Sequence, residues 1–553
     1  MRNLLLFCLL CPLLFIQCNS SEKESGNGYT EDGFAAFSAD TLSADIQVLA
    51  ADSLTGRKPF TEGETKTLAY LQKRFTQVGL EPGNNGSYLQ DVPMVNIATK
   101  ADSTLQVGSP KGDFTLKGFD DYVIWTEKDD PSVSLNKSEV VFAGYGVNAP
   151  ERGWNDYAGL DVKGKVVMVL VNDPGYGVDP SLFKGDTMTY YGRWTYKFEE
   201  AARQGAKGCL VIHNTKAASY PFSVVQNNWN GSRLHLDNRG KNVPYCDVVG
   251  WVSEPTAIKL LSAAGYDSTV LTKAAVKGFK PLSLGINLST NIAVTATYKA
   301  SHNVIGKITG AKHPDEYIIY SAHWDHLGIG KPDERGDSIY NGALDNASGT
   351  AGLLQLAKAF KSLKTPPDRT IVFLAVTAEE QGLWGSAYYA QNPVYPAAKT
   401  LADINMDELN DAGPTKDIVI VGQGQSELED ALKDAAKKMD RYTAFETRPE
   451  AGSYYRSDHF NFARVGIPAL YTGNGVDVIG KDTAYGRKVA ADYNEKHYHR
   501  PSDEWHKDWN LDGAIKDLQL LFVVGKGLAF ADAWPQWKGG SEFKPVRDKA
   551  LGK

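Results

Sequence analysis

Cysteine is scarce in this chain of 553 residues. There are five, and Cys8, Cys11 and Cys18 fall in the first eighteen positions. With only Cys209 and Cys246 beyond, a disulfide scaffold is excluded. These two can pair in an oxidising compartment or stay as buried thiols, and neither belongs to a structural zinc site, because no Cys-x-x-Cys pair follows residue 18. Basic tracts are missing too. The formal net charge is −7, from 59 Lys+Arg against 66 Asp+Glu, so nothing draws the chain toward nucleic acid or an anionic membrane. After the N-terminus no apolar run approaches the roughly 20 residues that span a bilayer. There is no internal repeat. What remains is ordinary globular composition, 42% hydrophobic and 23% charged. At roughly 100–200 residues per domain, the length implies two to four units.

The N-terminus bears on compartment. Met1-Arg2-Asn3 is a short positive leader, and Leu4 to Ile16 is almost wholly apolar, which suits a secretory signal rather than a span. The run stops at Cys18, after which Asn19-Ser20-Ser21-Glu22-Lys23-Glu24-Ser25-Gly26 is polar. This resembles a bacterial lipoprotein signal, although Gln17 stands where such signals usually have a small residue. The resemblance implies removal of residues 1–17, acylation of Cys18 and a polar tether over 18–40. The expected location is the cell envelope, as a lipoprotein on the periplasmic or surface side, or otherwise secretion. Membrane contact is expected only through the lipid anchor.

Hydrophobic patterning divides the rest. Much of Leu42 to Val78 reads as helical, with Leu68, Leu71, Phe75 and Val78 at helical spacing and Gly79 and Pro82 as a stop. This belongs to a first unit, 41–135. A β-rich module is expected over 136–288, with strands at Val140–Phe142, Lys165–Val171, Cys209–Ile212 and Val248–Val252, and a helix over Lys197–Gln204. From 289 to 545 the pattern is α/β. Tyr317–Ala322 and Thr370–Val376 are continuous apolar strands of the kind buried in a helix-covered sheet. Gly349–Leu363 reads as a helix with Leu353, Leu356, Ala357, Phe360 and Leu363 inward, and the tail Leu511–Ala531 is a helix packed on that sheet. The fold class is α/β, a mixed sheet covered by helices with an inserted β-rich module.

Metal-ligating residue types gather where these strands end. The first apolar strand runs into His323-Trp324-Asp325-His326. A small-residue turn, Asn341 to Gly349, carries Asp345 into a helix. The second strand ends at Glu379-Glu380, followed later by Asn405-Met406-Asp407 and by Tyr498-His499. Open α/β sheets place their sites at the carboxyl ends of strands. Singly, each feature is bland: His-x-Asp is a hydrogen-bonded surface pair, adjacent glutamates are a solvated face, and an Asp before a helix is an N-cap. Jointly, a mixed nitrogen and oxygen set suits zinc, with harder metals also able to bind.

The ordered motifs resemble the zinc peptidase family of bacterial leucyl aminopeptidases and glutamate carboxypeptidase, a phosphorylase/hydrolase-like fold. The module 136–288 resembles that family's protease-associated (PA) insertion. Ile46 to Gln90, including Leu54-Thr55-Gly56-Arg57, resembles its opening. The resemblance implies two zinc ions. His323 and Asp407 complete one site, Glu380 and His499 the other, and Asp345 bridges them, followed by a cis peptide. Where the family often has an acidic residue after that Asp, this chain has Asn346. Glu379 would be the general base, and Asp325 would orient His323 as metal-bound histidines require. In Ser453-Tyr454-Tyr455-Arg456-Ser457-Asp458-His459, Tyr454 would help stabilise the oxyanion, with Tyr455 adjacent and Asp458 and His459 in support. Consecutive glutamates after a strand can diverge, one to metal and one to its water.

The expected activity is a dinuclear zinc aminopeptidase acting on peptides. A carboxypeptidase would instead need cations gripping a terminal carboxylate, for which Arg456 and Arg464 are candidates. Glutaminyl cyclase, a single-zinc relative, needs neither the module nor the full ligand set. A noncatalytic binding protein on the same fold should show a substituted ligand or base, and none is missing.

Overall fold

The computed structural model describes residues 29–553. The expected leader 1–17, Cys18 and the first part of the tether lie outside the described residues. From Tyr29 onward the chain is already packed, so the tether expected over 18–40 does not extend to its end. The rings of Phe34 and Phe37 lie 6.3 and 5.8 Å from Phe522, and Lys526 donates to Glu31 at 2.6 Å. Ser38 then caps the helix Ala39–Leu49 by accepting from the Thr41 amide.

The helical stretch expected over 42–78 is two helices, Ala39–Leu49 and Glu62–Val78, parted by a 3-10 turn. Thr55, Gly56 and Arg57 in that turn all have positive φ. Gly56 is required there, since a Cβ would meet the Gly328 and Tyr340 carbonyls at 2.6 and 2.5 Å.

In the α/β half the strands His313–His323, Arg369–Val376, Thr400–Asn405 and Ala469–Gly473 run parallel, with His313–His323 between Arg369–Val376 and Thr400–Asn405. Arg369–Val376 is buried at every residue, as a strand covered by helices on both faces must be. The helices Gly349–Lys361 and Asp512–Phe530 cover one face, where Leu353, Leu354, Phe360, Leu518 and Phe522 join Ile371, Phe373 and Ala375 in one core, while Tyr389 of the helix Trp384–Gln391 and Phe462 of His459–Arg464 pack on Val372, Leu374 and Val376 on the other. All four parallel strands end on the same side, which positions the site.

The second lobe has its own core, around three parallel strands, Val166–Leu170, Gly208–His213 and Val248–Ser253. That core also takes in Leu105, Val107, Leu116, Tyr122 and Ile124, so the lobe begins well before residue 136. The short hairpins there carry mixed polar residues and lack the valine-rich signature of the later strands. Nor does the chain change unit at residue 289. Leu282–Ile308 is one strand of 27 residues. It pairs antiparallel with Ser132–Phe142 in the second lobe, with Leu89–Ala101 midway, and with Arg369–Val376 in the α/β half. Among the described residues no helix is long and apolar enough to cross a membrane.

Candidate active site

The strand ends deliver their side chains to one place. His323 closes its strand, and its Nε2 lies 3.2 Å from Asp407 Oδ1 and 3.3 Å from Asp345 Oδ1. His499 Nε2 lies 3.2 Å from the other oxygen of Asp345 and 3.1 Å from Glu380 Oε2. Asp345 therefore stands between two His–carboxylate pairs, one oxygen to each, and all five expected ligands converge. Glu379 Oε2 is 3.9 Å from His323 Nε2. The peptide Asp345–Asn346 is cis, as expected.

Asp325 acts differently from the expectation. His323 Nδ1 bonds the main-chain carbonyl of Asp325 at 3.1 Å, while the carboxylate, 3.8 Å from that ring, accepts from the Glu379 amide at 3.0 Å. It thereby ties the first histidine to the glutamate loop. Burial pushes Asp325 up to about 8.

The adjacent glutamates are driven apart. Burial and repulsion by Asp407, Glu380 and Asp458 hold Glu379 well above the usual carboxylate range, against the pull of His323. Burial also acts on Glu380, but His499 and His326 outweigh it and bring the carboxyl down to about 2. Two neighbouring carboxyls in opposite environments are what acid–base work requires. Burial alone would lower His323, but Glu379, Asp407 and Asp345 hold it well above the ordinary histidine value.

His326 was not assigned a role from sequence. It is fully buried, and its Nδ1 lies 2.6 Å from Glu380 Oε1 in an alignment that leaves both atoms without a hydrogen-bond partner. Buried orphaned donors and acceptors facing each other beside crowded carboxylates call for a cation. The donor atoms of His323, Glu379 and Asp407 lie within 4.8 Å of one another, as do those of His326, Asp345 and Glu380. Histidine nitrogens and carboxylate oxygens in such groups fit zinc.

Further residues, none of them a ligand, hold the ligand segments. Arg57, fully buried, donates from Nε to Trp324 O at 2.8 Å, from Nη1 to Leu49 O at 2.7 Å and Asn341 O at 2.5 Å, and from Nη2 to Gly342 O at 2.8 Å. It clasps the segments bearing His323 and Asp345. Asp503 accepts from the Leu344 and Asp345 amides at 3.0 and 3.1 Å. Asn346 donates to Met406 O at 3.0 Å and accepts from the Gly349 amide at 2.9 Å. A carboxylate there could not donate, which explains the amide. Ser457 Oγ donates to Asp407 Oδ2 at 2.8 Å.

Tyr454 is not part of this cluster. Its ring packs edge-on to Tyr455 and His459 at 5.4 and 4.6 Å, and its charged neighbours are Glu542, Glu429 and Asp403. Tyr455 donates to Glu542 at 2.7 Å. Aromatic packing takes both away from the ligands. Two other tyrosines lie beside them: Tyr471, whose charged neighbours are Asp407, Glu408, Glu379 and Asp345, and Tyr498, stacked on His499 at 3.9 Å with Asp345, Glu380, Glu408 and Glu379 as its charged neighbours. Tyr498 is 39% exposed. Its signal in sequence was adjacency to His499. Asp458 and His459 are supporting residues: Ser386 donates to Asp458 at 2.6 Å, and His459 stacks between Tyr454 and Tyr471. A cavity of about 480 Å³ opens at the seam of the lobes, lined by Tyr176, Gly177, Asp186, Asn214, Lys216 and Glu450, and by none of the ligands.

The family model Peptidase family M28 matches residues 303–523. The chain is 28% identical over 314 residues to aminopeptidase YwaD of Bacillus subtilis, covering 56% of this chain and 52% of that protein. It is 26% identical over 406 residues to a glutamate carboxypeptidase 2 homolog of Caenorhabditis briggsae, covering 63% and 48%. The chain thus spans about half the length of these curated relatives. The aminopeptidase from Aneurinibacillus sp. strain AM-1 shares the fold with a TM-score of 0.50 at 20% identity, covering 90% of this chain and 95% of that one.

Proposed function

Through residues 303–523 the chain belongs to peptidase family M28, and from that premise we propose that it is a zinc exopeptidase removing N-terminal residues from peptides. The observation that carries the reading is Asp345, with one oxygen toward His323 and Asp407 and the other toward His499 and Glu380. This supports two zinc ions sharing that carboxylate. Bound there, zinc would lower the pKa of a water and polarise the scissile carbonyl. Glu379, poised high, takes a proton from the water on a carboxylate oxygen and delivers it to the leaving amine. Asp325 fixes the Glu379 amide. Tyr498, whose ring stacks on His499, is the proposed donor of a phenolic proton to the carbonyl oxygen as charge develops there.

Direction of attack follows from charge. Glu408, held with φ of 60° beside Asp407, adds an acidic group near Asp345, Asp407 and Asp503, and burial with these neighbours pushes its carboxyl well above the usual range. Such a field favours a free α-ammonium over a free carboxylate. The inserted lobe is read as an access element of the PA kind. The leader and Cys18 support an envelope lipoprotein.

The test is a panel of N-blocked and C-blocked peptides with zinc and with a chelator. Cleavage of C-blocked but not N-blocked peptides, lost on chelation and restored by zinc, is the expected outcome. The reverse selectivity would make the enzyme a carboxypeptidase. No cleavage under any condition would leave a binding protein on this fold.

A further inference from the structure

A line of buried polar side chains ends on Asp407. Asp403 and Asn405 lie on the strand Thr400–Asn405, and Ser321 stands opposite Asn405 on the parallel strand His313–His323. Ser321 Oγ is 2.8 Å from Asp403 Oδ1 and 3.0 Å from Asn405 Oδ1. Asn405 Nδ2 donates to Ser457 Oγ at 2.8 Å, and Ser457 Oγ donates to Asp407 Oδ2 at 2.8 Å. Asp403, Ser321, Asn405 and Ser457 are all buried, and none of them is a ligand.

The hydrogen count fixes the charge of Asp403. Asp407, as a metal ligand, is ionised and can only accept, so it takes the single hydroxyl hydrogen of Ser457. Ser457 therefore accepts from Asn405, and that amide must turn its oxygen toward Ser321. Ser321 also has one hydrogen, but it faces two oxygens. Were Asp403 ionised, one of these two contacts would hold a pair of oxygens with no hydrogen between them. A proton on Asp403 Oδ1 fills both: Asp403 donates to Ser321, and Ser321 donates to Asn405. The surroundings agree. Asp403 Oδ2 is buried with no partner, which is costly for a carboxylate and far less so for the carbonyl of an acid. Buried carboxylates elsewhere gather donors instead. Glu429 accepts from the amides of Gly424, Gln425 and Ser426, and Asp417 from those of Val476 and Asp477. Burial pushes the Asp403 carboxyl well above the usual range, with Ser321 opposing and Asp458 adding to the shift.

We propose that Asp403 is a neutral carboxylic acid and a positioning residue: its hydrogen sets the direction of the chain through Ser321, Asn405 and Ser457 that occupies Asp407 Oδ2 and leaves Oδ1 for the metal. Asp407 Oδ1 is the oxygen that faces His323 Nε2 at 3.2 Å. A neutral end holds this ligand without adding another negative charge beside Asp345, Glu380 and Asp407. The consequence for turnover rests on the exopeptidase reading; the proton and the hold on Asp407 do not.

The test uses the full chain as wild type, Asp403→Asn, Asp403→Leu and Ser321→Ala. Asparagine keeps an N–H where the acid has its O–H and should preserve the chain, whereas leucine and alanine break it. In a chelator competition, Asp403→Leu and Ser321→Ala should bind zinc about 10–100-fold more weakly than wild type, and Asp403→Asn should stay within about threefold of it. Asp403→Asn binding as weakly as Asp403→Leu would mean that an ionised acceptor is required, and overturns the proposal. Wild-type affinity in both chain-breaking variants overturns it as well. Should Asp403→Leu not fold, Ser321→Ala, which removes one oxygen, carries the comparison. The charge is read directly from infrared difference spectra at neutral pH, with aspartate isotope-labelled at the side-chain carboxyl. Wild type minus Asp403→Asn should contain the C=O stretch of a protonated carboxyl, shifted on deuteration; carboxylate bands in its place overturn the proposal. If no peptide is cleaved, the exopeptidase reading fails, while the infrared band and the zinc competition still decide the role of Asp403.

Discussion

Each lobe has parallel strands and a histidine at the end of one of them. In the α/β half, His323 ends its strand among Asp345, Asp407 and Glu379. In the inserted lobe, His213 ends the strand Gly208–His213 with its Nε2 on the Tyr220 carbonyl at 3.0 Å and aromatic rings around it, Phe222 at 5.3 Å and Trp251 at 5.7 Å. The backbone arrangement is alike and the chemistry is not. A strand end becomes a metal site when several neighbouring ends supply carboxylates at once. One histidine among rings is satisfied by its own loop. Buried histidines accordingly shift in opposite directions: His323 is held up by carboxylates, whereas burial, with Arg233 nearby, pulls His235 down to about 3.

The largest test of that contrast is Glu379→Gln. It should lower kcat by about 10²–10⁴-fold while bound zinc, measured by atomic emission after dialysis, stays at the wild-type level. Unchanged turnover would remove Glu379 as the base.

Arg57→Lys comes next. Lysine cannot reach all four carbonyls, so the clasp on the His323 and Asp345 segments loosens. Zinc affinity in a chelator competition should drop by about 10–100-fold, with stability down by about 1–3 kcal/mol. A fall in Tm with zinc affinity intact would show that Arg57 serves the fold alone.

The smallest effect belongs to the inserted lobe. His235 is 6% exposed, and its folded value lies below the unfolded one. The unfolded chain therefore binds the proton more readily between about 6.5 and about 3, and stability contributed by this group falls as pH drops through that window. His235→Phe should flatten the Tm–pH profile there. A profile as steep as wild type would assign the acid sensitivity to other groups.

Much of the ligand set was legible because each member follows a continuous apolar run, so strand ends and ligand types coincide in the sequence. Asp345 was legible through its small-residue turn into a helix. His326 was not, since three positions after His323 it looks like part of the same motif and only the fold turns it toward Glu380. Arg57 was hidden for a different reason: all four of its acceptors are backbone carbonyls, which have no residue type. Tyr454 was misplaced because a tyrosine next to the Ser457–His459 segment reads the same whether it faces the ligands or an aromatic core. The long strand Leu282–Ile308 escaped because its middle alternates between buried and exposed residues, a weaker pattern than its apolar end.

That strand has a mechanical consequence. A ribbon hydrogen-bonded along both edges and threaded through both halves works as an axle rather than a hinge. Swinging the lobes apart as rigid bodies would tear ladder bonds along Leu89–Ala101 and Ser132–Phe142.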